Sequence, residues 1–214
     1  MKCDLCEKRK AKRSCPAKSG FICAPCCGEK RVLELDCPET CPYLISGRKR
    51  ESDEFGKLLR SQDPQIREKS RKVLTEHQDV IAHLEYRIAQ FRLSSRDLSD
   101  RDVSKAVDIL LQSYRTEDKG ILYEKDADDL RIDSIRRELR EVLEAYRNPD
   151  SENANGIVES GHDRLKLQSA IECLELIRLM VDVYRNYRDS ESSYVDFLAR
   201  MTPRTESKSS IIVP

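Results

Sequence analysis

Beyond residue 63, apolar residues recur in steps of three, four and seven. Leu74, Ile81, Leu84, Ile88 and Phe91 form one such stripe. It predicts an amphipathic helix from about Pro64 to Arg92, with His77 at the position the stripe leaves open. The polar string LSSRDLSDRD then interrupts the pattern and offers Ser and Asp N-caps. A second stripe, Val103, Val107, Leu110 and Tyr114, runs to Gly120, read as a C-cap. Asp126–Asp129 introduce a third, Ile132, Ile135, Leu139, Val142 and Tyr146, which Pro149 stops; acidic residues suit the positive end of a helix dipole. After the polar loop NPDSENANGIVESG comes the most apolar segment, with Leu167, Ile171, Leu174, Ile177, Val181 and Tyr184 on one face. A neighbouring row, Leu165, Leu176, Leu179 and Val183, places this helix at the centre of a bundle. Phe197, Leu198 and Met201 predict a short last helix. The pattern favours an all-α helical bundle of about four helices over residues 63–202, with a disordered tail over 203–214. The first stripe also fits a coiled-coil arm. No alternation of strands and helices supports an α/β fold.

The first quarter of the chain has a different texture. Eight of the nine cysteines fall within residues 3–41, among Pro16, Gly20, Pro25, Gly28 and Pro38. The charged stretch GRKRESDEFG, residues 47–56, closes this region, so the expected organisation is a cysteine-rich domain over 1–50 and a linker over 51–62.

Composition narrows the function classes. Charged residues make up 36% of the chain and apolar residues only 38%, which suits helices with wide solvated faces. Thirty-nine basic residues balance thirty-nine acidic ones, so no net charge draws the chain toward nucleic acid or membrane. The opening MKCDLCEKRK lacks the apolar core of a secretory signal, and no apolar run is long enough to span a bilayer. A cytoplasmic location is expected, and thiols kept reduced there favour metal over disulfides.

The cysteines are spaced as Cys3-x-x-Cys6, Cys15, Cys23-x-x-Cys26, Cys27 and Cys37-x-x-x-Cys41. A Cys-x-x-Cys turn brings two thiolates onto one tetrahedral ion, and two such turns close a site. Eight thiolates at four per ion supply two structural zinc ions, which gives Cys27 a place. In the preferred, interleaved arrangement one ion takes Cys3, Cys6, Cys23 and Cys26, and the other takes Cys15, Cys27, Cys37 and Cys41. Exchanging Cys26 and Cys27 satisfies the same arithmetic. One zinc with spare thiols, four disulfides and an iron–sulphur cluster also accommodate the count. Gly28 is expected to let the backbone turn between the two sets. Structural zinc contributes on the order of 10 kcal/mol to folding in small modules, and a region this poor in apolar residues needs support of that size.

This order of cysteines, with Gly28 after Cys27 and CPETCPYL at the end, resembles the two-zinc cross-brace fingers, the group that includes the HIT-type, MYND and B-box modules. It is also similar to bacterial proteins that join such a cluster to a helical C-terminal region. It departs from the HIT-type pattern at the late ligand positions, where that family uses a histidine and this chain has cysteine. The resemblance implies a small zinc-stabilised cross-brace domain that assembles with other proteins.

Residues 1–50 carry twelve Lys and Arg against six Asp and Glu. Eight thiolates and two zinc ions would reduce that excess to about +2. A local basic loop survives, with Lys8, Arg9, Lys10, Lys12 and Arg13 as candidate phosphate contacts and Arg48–Arg50 as a further patch.

Signatures of catalysis are absent: no His-Glu-x-x-His, phosphate loop, nucleophile elbow or dinucleotide glycine pattern occurs. His77 and His83 lie six residues apart, on different helical faces. Cys173, among Ile171, Leu174 and Leu176, reads as a small buried hydrophobe. Asp126, Asp128 and Asp129 read as helix-capping residues. The expected function is therefore a non-enzymatic zinc-binding adaptor that docks a protein partner. The alternative is a nucleic-acid-associated regulator working through the basic loop. Neither a membrane nor a small-molecule substrate is expected.

Overall fold

The computed structural model describes residues 1–121, 127–151, 154, 157–158, 163–188 and 190–203. Two short strands, β1 (Arg13–Cys15) and β2 (Gly20–Ile22), form an antiparallel hairpin in which Ser14 faces Phe21. Eight helices follow among the described residues: α1 (Ala24–Lys30), α2 (Pro42–Arg60), α3 (Pro64–Glu76), α4 (Gln78–Ser94), α5 (Asp100–Glu117), α6 (Leu130–Arg147), α7 (Leu167–Tyr187) and α8 (Ser193–Met201).

The chain divides into two compact units, and the division falls inside α2, between Arg50 and Glu51. The first unit is Met1–Arg50, joined by residues 200–203. Arg48 makes that connection, donating from Nε to the Arg200 carbonyl at 2.6 Å and from Nη2 to the Thr202 carbonyl at 3.1 Å.

The second unit, Glu51–Ala199, is helical. Its helices start where local chemistry satisfies the free N–H groups of a first turn. Asp63 caps α3 by accepting from Gln65 N, with Pro64 at the first position. Ser99 and Asp102 form a reciprocal capping box on α5, and Asp129 caps α6 by accepting from Arg131 N at 2.8 Å. The core lies where α5 packs against α6 and α7, and α4 against α6. Leu84, Ile88, Val103, Val107, Ile135, Leu139, Val142, Leu174, Ile177 and Val181 are fully buried there. Phe55, Tyr184, Tyr194 and Phe197 form an aromatic cluster with ring centroids 4.9–6.5 Å apart.

Three expectations change. The helix predicted over Pro64–Arg92 is two helices, because His77 leaves helical geometry at φ −133° and serves both as C-cap of α3 and N-cap of α4. The stripe's long step from Leu74 to Ile81 supplies no apolar anchor at the break, and α3 buries Val73 instead. Residues 51–60, read as linker, continue α2. A bundle of four helices undercounts the region, which holds α3 to α8 as well as the end of α2. Asp126 and residues 204–214 lie outside the described residues. No helix among the described residues is long and apolar enough to cross a membrane.

Candidate metal centre

The sulphurs of Cys3, Cys6, Cys23 and Cys26 all lie within 4.8 Å of one another. Four thiolates at about 2.3 Å from a tetrahedral zinc stand about 3.8 Å apart. Cys6 Sγ and Cys23 Sγ are 3.9 Å apart, so the spacing of this donor set is compatible with a metal ion held between the four sulphurs.

Local backbone geometry builds the set. The turn after Cys3 is closed by Glu7 N donating to the Cys3 carbonyl at 2.8 Å, and Glu7 adopts φ +53°. This turn aims successive N–H groups at sulphur. Cys6 accepts from the N–H of Arg9 and Lys8, which holds its thiol below the ordinary value. Burial acts to raise Cys3, yet the N–H groups of Cys23, Cys6 and Leu5 outweigh it and bring Cys3 down to about 6. The Cys23 N–H reaches Cys3 Sγ at 3.2 Å. Burial and the neighbouring thiols of Cys23, Cys6 and Cys3 push Cys26 up to about 12. Four clustered thiols cannot all ionise against one another, and a divalent cation is the species that lets them. Arg9 bonds to the Cys23 sulphur, which raises its own pKa and adds positive charge beside the cluster.

The stretch CAPCCGEK is helical, which corrects the expected turn at Gly28. Cys23 is the extended N-cap, Pro25 sits in the first turn, and Gly28 lies inside α1 without a positive φ. Successive helical residues point about 100° apart. Cys26 and Cys27 therefore face different directions, and only Cys26 joins the four-sulphur cluster.

Cys15, Cys27, Cys37 and Cys41 are all buried and line one cavity of ≈ 10 Å³ with Ile22 and Leu44. Burial raises the Cys37 thiol, and Cys41, Cys15 and Cys27 act electrostatically in the same direction. These four sulphurs do not meet the mutual 4.8 Å spacing of the first set. The cavity is also lined by Arg31, a residue only 4% exposed. Gly47, in the middle of α2, makes room for it: a Cβ there would fall 1.3 Å from Arg31 Nη1.

The hairpin divides the basic loop. Lys8, Arg9, Lys10 and Lys12 are exposed, whereas Arg13 is half-buried, with its guanidinium 4.9 Å from the centre of the Tyr43 ring. In the helical unit, His83 Nδ1 pairs with Tyr146 Oη at 2.6 Å, and Cys173 is fully buried, its thiol pushed up to about 12 by burial. Asp129 caps a helix, as its position before α6 suggests.

Two groups escaped the sequence reading. Asp100 is fully buried and accepts from the Tyr194 and Val195 N–H groups at 3.0 Å each, capping α8 from the start of α5. Phe21 stands 46% exposed on the hairpin. The alternation in RSC and GFI, with one apolar residue too many for a one-sided ribbon, is the signal that marks Phe21.

Comparison with protein-family models, curated proteins and solved structures finds no match.

Proposed function

We propose that the chain is a non-enzymatic adaptor whose cysteine-rich unit holds two structural zinc ions and whose surfaces dock a protein partner. The carrying observation is the four-sulphur cluster of Cys3, Cys6, Cys23 and Cys26. Four thiolates complete a tetrahedral shell and leave no position for a reacting water, which favours a structural ion. The second ion is assigned to Cys15, Cys27, Cys37 and Cys41, supported by their common cavity and by the buried positive charge of Arg31 beside it. For the partner, support comes from a groove of ≈ 200 Å³ in the helical unit, lined by Lys69 and Glu175 and floored by the buried Val73 and Leu176, where Ile66 is exposed and Leu179 half-buried. A zinc-built domain joined to a helical unit suits assembly better than turnover.

Native mass spectrometry of the reduced protein tests the metal assignment. The expected result is two zinc ions, falling to one in Cys27→Ser; a single ion in both proteins overturns the second site. Affinity capture from the native host, with Ile66→Glu as the comparison, tests the docking role. The expected result is a protein that co-purifies with the wild type and is lost with the variant.

A further inference from the structure

One surface of the cysteine-rich unit serves neither sulphur group. Along the approach to β1, exposure alternates: Lys10, Lys12 and Ser14 are exposed, whereas Ala11 and Arg13 are half-buried and Cys15 is buried. A period of two sets Lys10, Lys12 and Ser14 on one side of the strand. Ser14 lies directly opposite Phe21, and Lys10 is paired across an antiparallel bridge with Lys2, which is also exposed. Phe21 thus stands on a solvent-facing surface with three lysines. Its neighbours Gly20 and Ile22 turn the other way, Ile22 into the core. The nearby carboxylate of Asp4 is engaged, accepting from the Phe21 N–H at 2.6 Å. Residues 1–22 carry seven Lys and Arg against two acidic residues, so the surroundings are cationic.

We propose that this hairpin face binds single-stranded nucleic acid. Phe21 stacks on an unpaired base while Lys2, Lys10 and Lys12 neutralise phosphates on either side of it. Lys10 and Lys12 are about 6.8 Å apart along the strand, a step comparable to that between phosphates of an extended strand. A duplex hides the base faces that Phe21 needs. An acidic peptide would use the lysines and leave the ring without a partner, and one ring offers too little apolar area for stable membrane insertion. The surface reads phosphates and a base face, not the sugar, so RNA and DNA oligonucleotides bind alike. This goes beyond the adaptor reading, because it gives the cysteine-rich unit a ligand separate from any partner of the helical unit.

The test is fluorescence anisotropy of the zinc-loaded full chain with labelled twelve-nucleotide RNA and DNA strands of mixed sequence. Phe21→Ala is expected to weaken binding about tenfold, and Phe21→Trp to preserve it. The log–log salt slope should be about −2, as three phosphate contacts imply, and should flatten in a Lys2→Gln, Lys10→Gln, Lys12→Gln variant. Phe21→Ala leaves that slope unchanged. Absence of binding overturns the proposal. So does equal affinity for a duplex, for polyglutamate or for phosphatidylserine vesicles, and so does an unchanged affinity in Phe21→Ala. Zinc content is measured on every sample: a protein with its full zinc content that fails to bind removes this face and leaves the adaptor reading standing. If Phe21→Ala sheds zinc, Phe21→Trp and the lysine variant carry the test.

Discussion

The two units solve the folding problem by opposite means. The helical unit buries long apolar stripes, and residues such as Leu139, Ile177 and Val142 are fully excluded from water. The cysteine-rich unit has few comparable side chains; Ile22, Val32, Leu35 and Leu44 are buried with seven cysteines among them, and Cys6 is half-buried. In one unit stability comes from area removed from water; in the other, on the proposed metal assignment, it comes from sulphurs gathered round a cation. Units held by such different forces should fail under different challenges.

The largest contrast is expected from chelation under reducing conditions. Removing zinc should unfold residues 1–45, at a cost on the order of 10 kcal/mol, while far-ultraviolet circular dichroism keeps most of its helical signal. Loss of all helix together would erase the distinction between the units. The reciprocal challenge is Leu139→Ala. Cavity formation should cost the helical unit about 2–5 kcal/mol in urea unfolding, with zinc content unaltered.

A third test separates the units by pH. Burial raises Asp100 to about 6, although the N–H groups of Tyr194 and Val195 pull the other way. A carboxyl whose folded pKa exceeds its unfolded value of about 3.9 stabilises most when protonated. Its contribution is complete below about pH 4 and is lost as pH rises through about 6. Asp100→Asn does not titrate, so the variant should gain about 2 kcal/mol relative to wild type between pH 4 and pH 7, read from helical unfolding at each pH. Glu85, which accepts from Tyr194 Oη at 2.9 Å, is raised to about 7 by burial and acts in the same direction. Part of Glu85 stays at the surface, where solvent screening reduces its share. The smallest effect should come from Gly47→Ala, which gains helix propensity but displaces Arg31. A net loss of about 1 kcal/mol confined to the cysteine-rich unit is expected, measured by zinc-release kinetics.

The legibility of the two units differs as well. Stripes spaced for helices marked α5, α6 and α7, because burial there follows a single periodic face from Val103 to Tyr184. The break at His77 was not legible, since a cap is defined by one residue's dihedral angles and not by the stripe that passes over it. The Cys-x-x-Cys spacings identified the first sulphur set, because a short turn can deliver two thiols in only a few ways. Gly28 misled, because a glycine beside cysteines reads as a turn when Pro25 and the Cys23 cap have already started a helix. Asp100 could not be found from spacing at all: its partners lie 94 and 95 residues away.

The adjacency of Cys26 and Cys27 on α1 bears on how this unit tolerates being divided. Ligands of the first set stand at residues 3, 6, 23 and 26, and those assigned to the second at 15, 27, 37 and 41. The two sets overlap between residues 15 and 26: a cut before Cys15 divides only the first, a cut after Cys26 divides only the second, and a cut within that overlap divides both. A truncation or a proteolytic nick between residues 15 and 26 is therefore a loss shared by both sets, and the hairpin and the start of α1 are the stretch where one break costs the whole region.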